Sequence, residues 1–207
     1  MFPLNVPNVL TVVRILLVPV LVVALTTETK DGDTIAAVVF ALAAITDGLD
    51  GYIARSRRAV TTFGKVMDPI ADKMLITAAL IALVSLERVA AWVAMVIIAR
   101  EFAVSSLRVA AAQQGAIIPA SILGKIKTVI QVAAVMALIA AGDPHATWVD
   151  VLVGLMVTAT VVSGVDYFLN VRREIEEARE SLRAQRTARS GVETSRSSSS
   201  SREVPRM

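Results

Sequence analysis

Residues 46–73 read TDGLDGYIARSRRAVTTFGKVMDPIADK, and this stretch decides how the chain is organised. Asp47 and Asp50 are three apart, so on a helix they share a face at roughly 60° to one another. Asp68 and Asp72 are four apart, roughly 40° apart on the next helix. The turn between them, Ser56 to Gly64, is short and basic, which makes the two helices antiparallel neighbours. All four carboxylates then fall at one end of a helical hairpin. They can converge.

Outward from this stretch the chain is strongly apolar. A membrane-spanning helix needs about 20 mostly apolar residues. Six candidates occur, at about 8–27, 34–55, 65–86, 89–110, 119–141 and 147–169. Over the whole 207 residues 55% are hydrophobic, only 19% are charged, and the mean hydropathy is +0.66. Average soluble domains carry more charge and less apolar content. The expected fold class is therefore all-α, an integral membrane six-helix bundle. The run from Val9 holds Arg14 and no small-residue cleavage site follows, so it reads as a first span rather than a leader.

The basic residues choose the orientation. Arg55, Arg57, Arg58, Lys65, Lys73, Arg108, Lys125, Lys127, Arg172 and Arg173 mark one set of helix ends, and only Lys30 and Arg88 mark the other. By the positive-inside rule the first set is cytoplasmic, and so are both termini. The expected location is the plasma membrane, with the Asp-rich end on the cytoplasmic side. The domain reading is a catalytic membrane domain over 1–170, a charged cytoplasmic helix over 171–189, and a disordered Ser/Arg-rich tail over 190–207.

Composition also limits the chemistry. There is no cysteine and a single histidine, His145, which excludes thiolate nucleophiles and makes a multi-His metal site or a Ser–His–Asp triad improbable. Any metal must be held by oxygen. The net charge of +3 raises nucleic acid as a partner, but on a membrane protein a basic edge faces anionic lipid headgroups, so no nucleic-acid partner is expected.

Carboxylates at the centre of a membrane helix cost about 2.5–3.5 kcal/mol each, and four together also repel. One compensation is pairing with Arg55, Arg57, Arg58, Lys65 and Lys73 at a solvated boundary. The other is two divalent cations, balancing four negative charges. Oxygen-only ligands suit a hard ion, Mg²⁺ or Mn²⁺. Two such ions can hold a phosphate and stabilise charge on attacking and leaving oxygens. Gly51 and Gly64 leave room for a close approach, and the planar fork of Arg55 matches a phosphate.

These residues resemble the signature of the CDP-alcohol phosphatidyltransferase family, D-x-x-D-G-x-x-A-R, eight residues, then G-x-x-x-D-x-x-x-D. Its fixed positions are Asp47, Asp50, Gly51, Ala54, Arg55, Gly64, Asp68 and Asp72. The resemblance extends over residues 1 to about 175. It implies transfer of a phosphatidyl group from CDP-diacylglycerol to an alcohol, release of CMP, and two bound divalent ions. It implies that Asp47, Asp50 and Asp68 ligate metal, with Asp72 completing the site and serving as general base. Asp47, Gly51, Ala54, Arg55 and Gly64 would contact the CDP-lipid. A homodimer is implied as well.

The acceptor has to be read from other residues. Arg100 and Glu101 lie well inside an apolar run, and intramembrane ionisable residues are functional candidates by default. Arg108, Lys125 and Lys127 are cations without matched acids nearby in sequence, and point to an anionic acceptor such as a phosphorylated polyol. Snorkelling or flanking charge is the plainer explanation of the lysines, and a structural ion pair that of Arg100 and Glu101. Asn8, Thr11 and Arg14 recur every third residue and can face one pocket together, although Asn8 also suits a helix cap. The runs REFAVSSLRVAAAQQG (100–115) and LGKIKT (123–128) resemble family members whose acceptor is sn-glycerol 3-phosphate. The expected product is phosphatidylglycerophosphate, and the acceptor-binding candidates are Arg108, Lys125, Lys127, Arg14 and Arg100. Inositol phosphate or phosphatidylglycerol as acceptor, and an ion carrier built on the Asp cluster, are the alternatives.

Overall fold

The computed structural model describes residues 6–27, 31–57, 62–113 and 122–200; within these, side chains are described outside 6–8, 47–57, 62–69, Asp72, Ile175 and 177–200. The described chain is all helical. α1 spans Val6–Thr26, α2 Gly32–Arg57, α3 Thr62–Ser85, α4 Ala91–Gln113, α5 Ile122–Ala140 and α6 Thr147–Ser200. The six helices fall where the six apolar runs were expected, with ends moved by a few residues except that α6 continues far beyond 169. Among the described residues Val9–Thr26, Ile122–Ala140 and Thr147–Glu174 are long and apolar enough to cross a membrane, whereas Gly32–Thr46 and Lys73–Ser85 are shorter apolar stretches.

The surface confirms the solvent these helices are built for. Leu16, Val23, Met95 and Val129 are large apolar side chains at least 62% exposed. Hydroxyls in the helices bond backwards instead of outwards: Thr46 Oγ1 donates to Leu42 O, Thr128 to Gly124 O and Thr158 to Gly154 O. That satisfies a polar group where no water is available.

Two compact units arise. The first comprises 1–102 and 122–163. In it α1 packs on α2 and α3, and α2 packs on α3 and α5. Its core joins Leu21, Phe40, Leu80, Leu83, Ile97, Leu138 and Met156, while Ala36, Ala43, Ala79 and Ala134, all fully buried, let the backbones come close. The second unit comprises 103–121 and 164–207, with a small cluster of Val104, Ala111, Tyr167 and Val171.

One end of the first unit is fastened by Arg88, in the turn after α3. Its Nη2 meets Asp33 Oδ2 at 2.8 Å, and its Nη1 donates to Ile139 O at 3.2 Å. The start of α2 and the ends of α3 and α5 are thereby tied together. The turn itself closes α3 by hydrogen bonds from Glu87 N to Val84 O and Arg88 N to Leu83 O, with Glu87 at φ 58°. This is the Schellman pattern, usually served by glycine. Removing the clamp by Arg88→Ala is expected to cost about 1–2 kcal/mol, since the pair is only partly buried. The midpoint of thermal unfolding in detergent should fall; an unchanged midpoint would show that the clamp holds nothing.

α6 runs from Thr147 through Ser200, so the charged segment expected over 171–189 and residues 190–200 of the expected tail lie on one helix with the apolar run 147–169. No proline interrupts the sequence before Pro205, so the backbone ladder has no covalent stop even where apolar surface is lacking. The expected tail beyond Ser200 lies outside the described residues.

Candidate active site

The Arg88 clamp gives a common origin for locating the site residues. From Asp33 to Asp47 along α2 is 14 residues, from Ser85 back to Asp72 along α3 is 13, and from Ile139 back to Lys127 along α5 is 12. At 1.5 Å per residue all three lie about 18–21 Å from the clamp. The backbone positions of Asp47, Asp72 and Lys127 therefore share one level, at the end opposite Arg88. Asp50, Gly51, Ala54 and Arg55 follow on α2, and Gly64 and Asp68 precede Asp72 on α3. The side chains of these eight signature residues lie outside those described.

Beside them, in the first unit, is a cavity of about 490 Å³. Ala44, three residues before Asp47, lines it, as does Lys73, next to Asp72. Glu101, Lys127 and Gln131 supply further polar groups, and Leu75, Ile76, Val132 and Met136 form an apolar extension. The sequence had drawn α2, α3, α4 and α5 to this place separately. The cavity brings them together.

The cations are not as the sequence left them. Lys127, 3% exposed on α5, is not unmatched: its Nζ meets Glu101 Oε1 across from α4. Glu101 also takes Arg100 Nη1 at 3.3 Å, and Arg100 Nη2 donates to Ser163 Oγ at 3.1 Å. One carboxylate thus serves one buried and one partly buried cation, which is what a low-dielectric surrounding requires of charge. Arg100 belongs to this network as an ion-paired residue. Lys125, two residues before Lys127, is exposed because its direction from the helix differs by about 200°. In the second unit Arg108 is exposed and lies with its guanidinium carbon 5.6 Å from the centre of the Tyr167 ring, a cation–π contact. Arg14 is buried on α1 together with Thr11, as their spacing of three required.

The donor set fits a hard divalent cation. Four aspartates stand near one level on two helices that pack together. The chain has no thiol, and its sole histidine, His145, is exposed in the turn that follows α5, beyond Ile139 and the clamp.

The residues that sequence reasoning passed over are Gln131 and Ser163. Both are polar side chains inside apolar runs, 2% exposed each. For Gln131 the available signal was its spacing of four from Lys127.

Comparison with known proteins identifies the family. The CDP-alcohol phosphatidyltransferase family matches residues 4–164, and the chain belongs to that family, whose members are membrane enzymes. A CDP-diacylglycerol–glycerol-3-phosphate 3-phosphatidyltransferase of Bacillus subtilis (strain 168) is 41% identical over 180 residues, 79% of this chain and 93% of the relative. A protein of the same description from Rickettsia felis is 38% identical over 169 residues, again 79% and 93%. A probable phosphatidylglycerophosphate synthase of Mycobacterium tuberculosis is 40% identical over 176 residues, 83% of each chain.

Proposed function

We propose that this chain transfers the phosphatidyl group of CDP-diacylglycerol to sn-glycerol 3-phosphate, forming phosphatidylglycerophosphate and releasing CMP. The observation that carries this is identity near 40% to relatives of that description, across most of their lengths. In this reading all six helices cross the plasma membrane, both termini are cytoplasmic, and the Asp-rich end faces the cytoplasm. The basic residues gathered at that end support the orientation. The enzyme works as a homodimer in the same reading.

The mechanism follows from the residue types. The 1-hydroxyl of glycerol 3-phosphate attacks the lipid-bearing phosphorus, its bond to oxygen forms, and the bond to the CMP oxygen breaks. Asp72 takes the hydroxyl proton. Asp47, Asp50 and Asp68, with Asp72, would hold two Mg²⁺ or Mn²⁺ ions, whose positive charge would neutralise the pyrophosphate and the departing CMP. Arg55 grips a phosphate through its fork, and Gly51, Ala54 and Gly64 leave room for the nucleotide. Lys127 is the cation at the cavity for the phosphate of the acceptor, and Lys125, Arg108, Arg14 and Arg100 are the other candidates for it.

The test is release of CMP from CDP-diacylglycerol by purified protein against a panel of acceptors. Turnover is expected with glycerol 3-phosphate and not with inositol phosphate or phosphatidylglycerol. Turnover only with another acceptor would replace the substrate, and none at all would favour an ion carrier. In the same assay Lys127→Ala, Lys125→Ala and Arg108→Ala should each lower acceptor kcat/KM roughly ten- to hundredfold, the effect of losing a charged hydrogen bond, while the donor KM stays put. Wild-type acceptor kinetics in all three would reduce them to flanking charge.

A further inference from the structure

Gln131 is a polar side chain of the cavity that neither the fold nor the mechanism above uses. Gln131 is 2% exposed, lines the cavity, and sits one helical turn beyond Lys127. Among the described residues no protein group hydrogen-bonds its amide. The amide borders the cavity rather than packed side chains, so its donors and acceptor are open to whatever fills the space.

The surroundings narrow what that is. An amide offers one acceptor and two donors, the complement of a hydroxyl, which both donates and accepts. A phosphate is better matched by Lys127. Gln131 lies about 6 Å further along α5 than Lys127, away from the aspartate level. Beyond it the lining turns apolar, with Leu75, Ile76 and Met136. A hydroxyl carried past Lys127 has Gln131 as its polar partner at that depth.

We propose that Gln131 is a specificity-determining residue that reads the non-reacting C2 hydroxyl of the acceptor. This rests on glycerol 3-phosphate being the acceptor. The amide bonds the C2 hydroxyl while the phosphate lies toward Lys127, which leaves the C1 hydroxyl as the one free to be deprotonated. An acceptor without the C2 hydroxyl would leave the amide buried and unpaired, and sites built to bond a hydroxyl discriminate strongly against its absence.

The experiment compares sn-glycerol 3-phosphate with 3-hydroxypropyl phosphate, which keeps the phosphate and the primary hydroxyl but lacks the C2 hydroxyl. Both are run with CDP-diacylglycerol in liposomes, on the wild type, on Gln131→Met and on Gln131→Leu. Wild type should prefer glycerol 3-phosphate by roughly ten- to hundredfold in kcat/KM. Either variant should bring the ratio near one by lowering only the glycerol 3-phosphate value, with the CDP-diacylglycerol KM unchanged. A wild type that uses both acceptors equally overturns the inference without any variant, which keeps the test decisive if both variants fail to fold. A preserved ratio, an equal loss on both acceptors, or a raised donor KM overturns it too. Absence of CMP release with either acceptor overturns the proposed activity, and the inference with it; activity with an unaltered ratio overturns the inference alone.

Discussion

Replacing Asp47, Asp50 or Asp68 with Asn is expected to remove nearly all activity while the protein still inserts and folds. Asn keeps the shape and one oxygen but loses the charge. The four aspartates together supply four negative charges, and two divalent ions supply four positive ones. Taking away one carboxylate leaves the ions under-balanced in a site with little water. Mutating residues that merely support metal ligands costs about 10–100-fold, so losing a ligand should cost more than that. The backbone has no need of these carboxylates, because the core of the first unit is made by Leu21, Phe40, Leu80 and their neighbours. Helix content and elution in detergent should therefore match the wild type. Chelation by EDTA should silence the wild type in the same way, with recovery on adding Mg²⁺ or Mn²⁺. Full turnover in the chelator would end the metal mechanism.

Asp72→Asn should behave differently, and the difference separates base from ligand. If Asp72 chiefly removes the proton of the acceptor hydroxyl, its loss acts on the chemical step and costs about 10²–10⁴-fold in kcat. The KM for CDP-diacylglycerol should stay near its wild-type value, because the donor pyrophosphate would still be met by Arg55 and by the divalent ions that the other three aspartates would hold. Steady-state kinetics with varied donor at saturating glycerol 3-phosphate would read this directly. A variant that turns over normally but needs far more Mg²⁺ would move Asp72 from base to ligand.

Much of this architecture is written in the sequence because the bilayer imposes a simple code. Runs of about 20 apolar residues can only be helices there, and the short polar turns between them set antiparallel neighbours. The helices α1 to α5 therefore begin and end within a few residues of their apolar runs. The end of α6 was not legible in the same way, since residues 171–200 carry no sustained apolar stripe in sequence and nothing in their composition marks a stop. The turn after α3 was equally silent: LER carries neither Gly nor Pro, yet Glu87 adopts the left-handed conformation. For the site, aspartates at spacings of three and four are a local signal that one helix can express. The partner of Lys127 is not local. Glu101 lies 26 residues earlier, on another helix, and only packing could reveal that it accepts both Lys127 and Arg100.

Arg88 reaches 55 residues back to Asp33 and 51 residues forward to the carbonyl of Ile139. During synthesis the Asp33 half of this fastening can close once the turn after α3 is made, whereas the Ile139 half waits for α5. Contacts absent from the folding transition state change the rate of unfolding and leave the rate of folding alone. To the extent that the Ile139 half closes last, it sets how long the assembled bundle survives once built rather than how quickly it is reached.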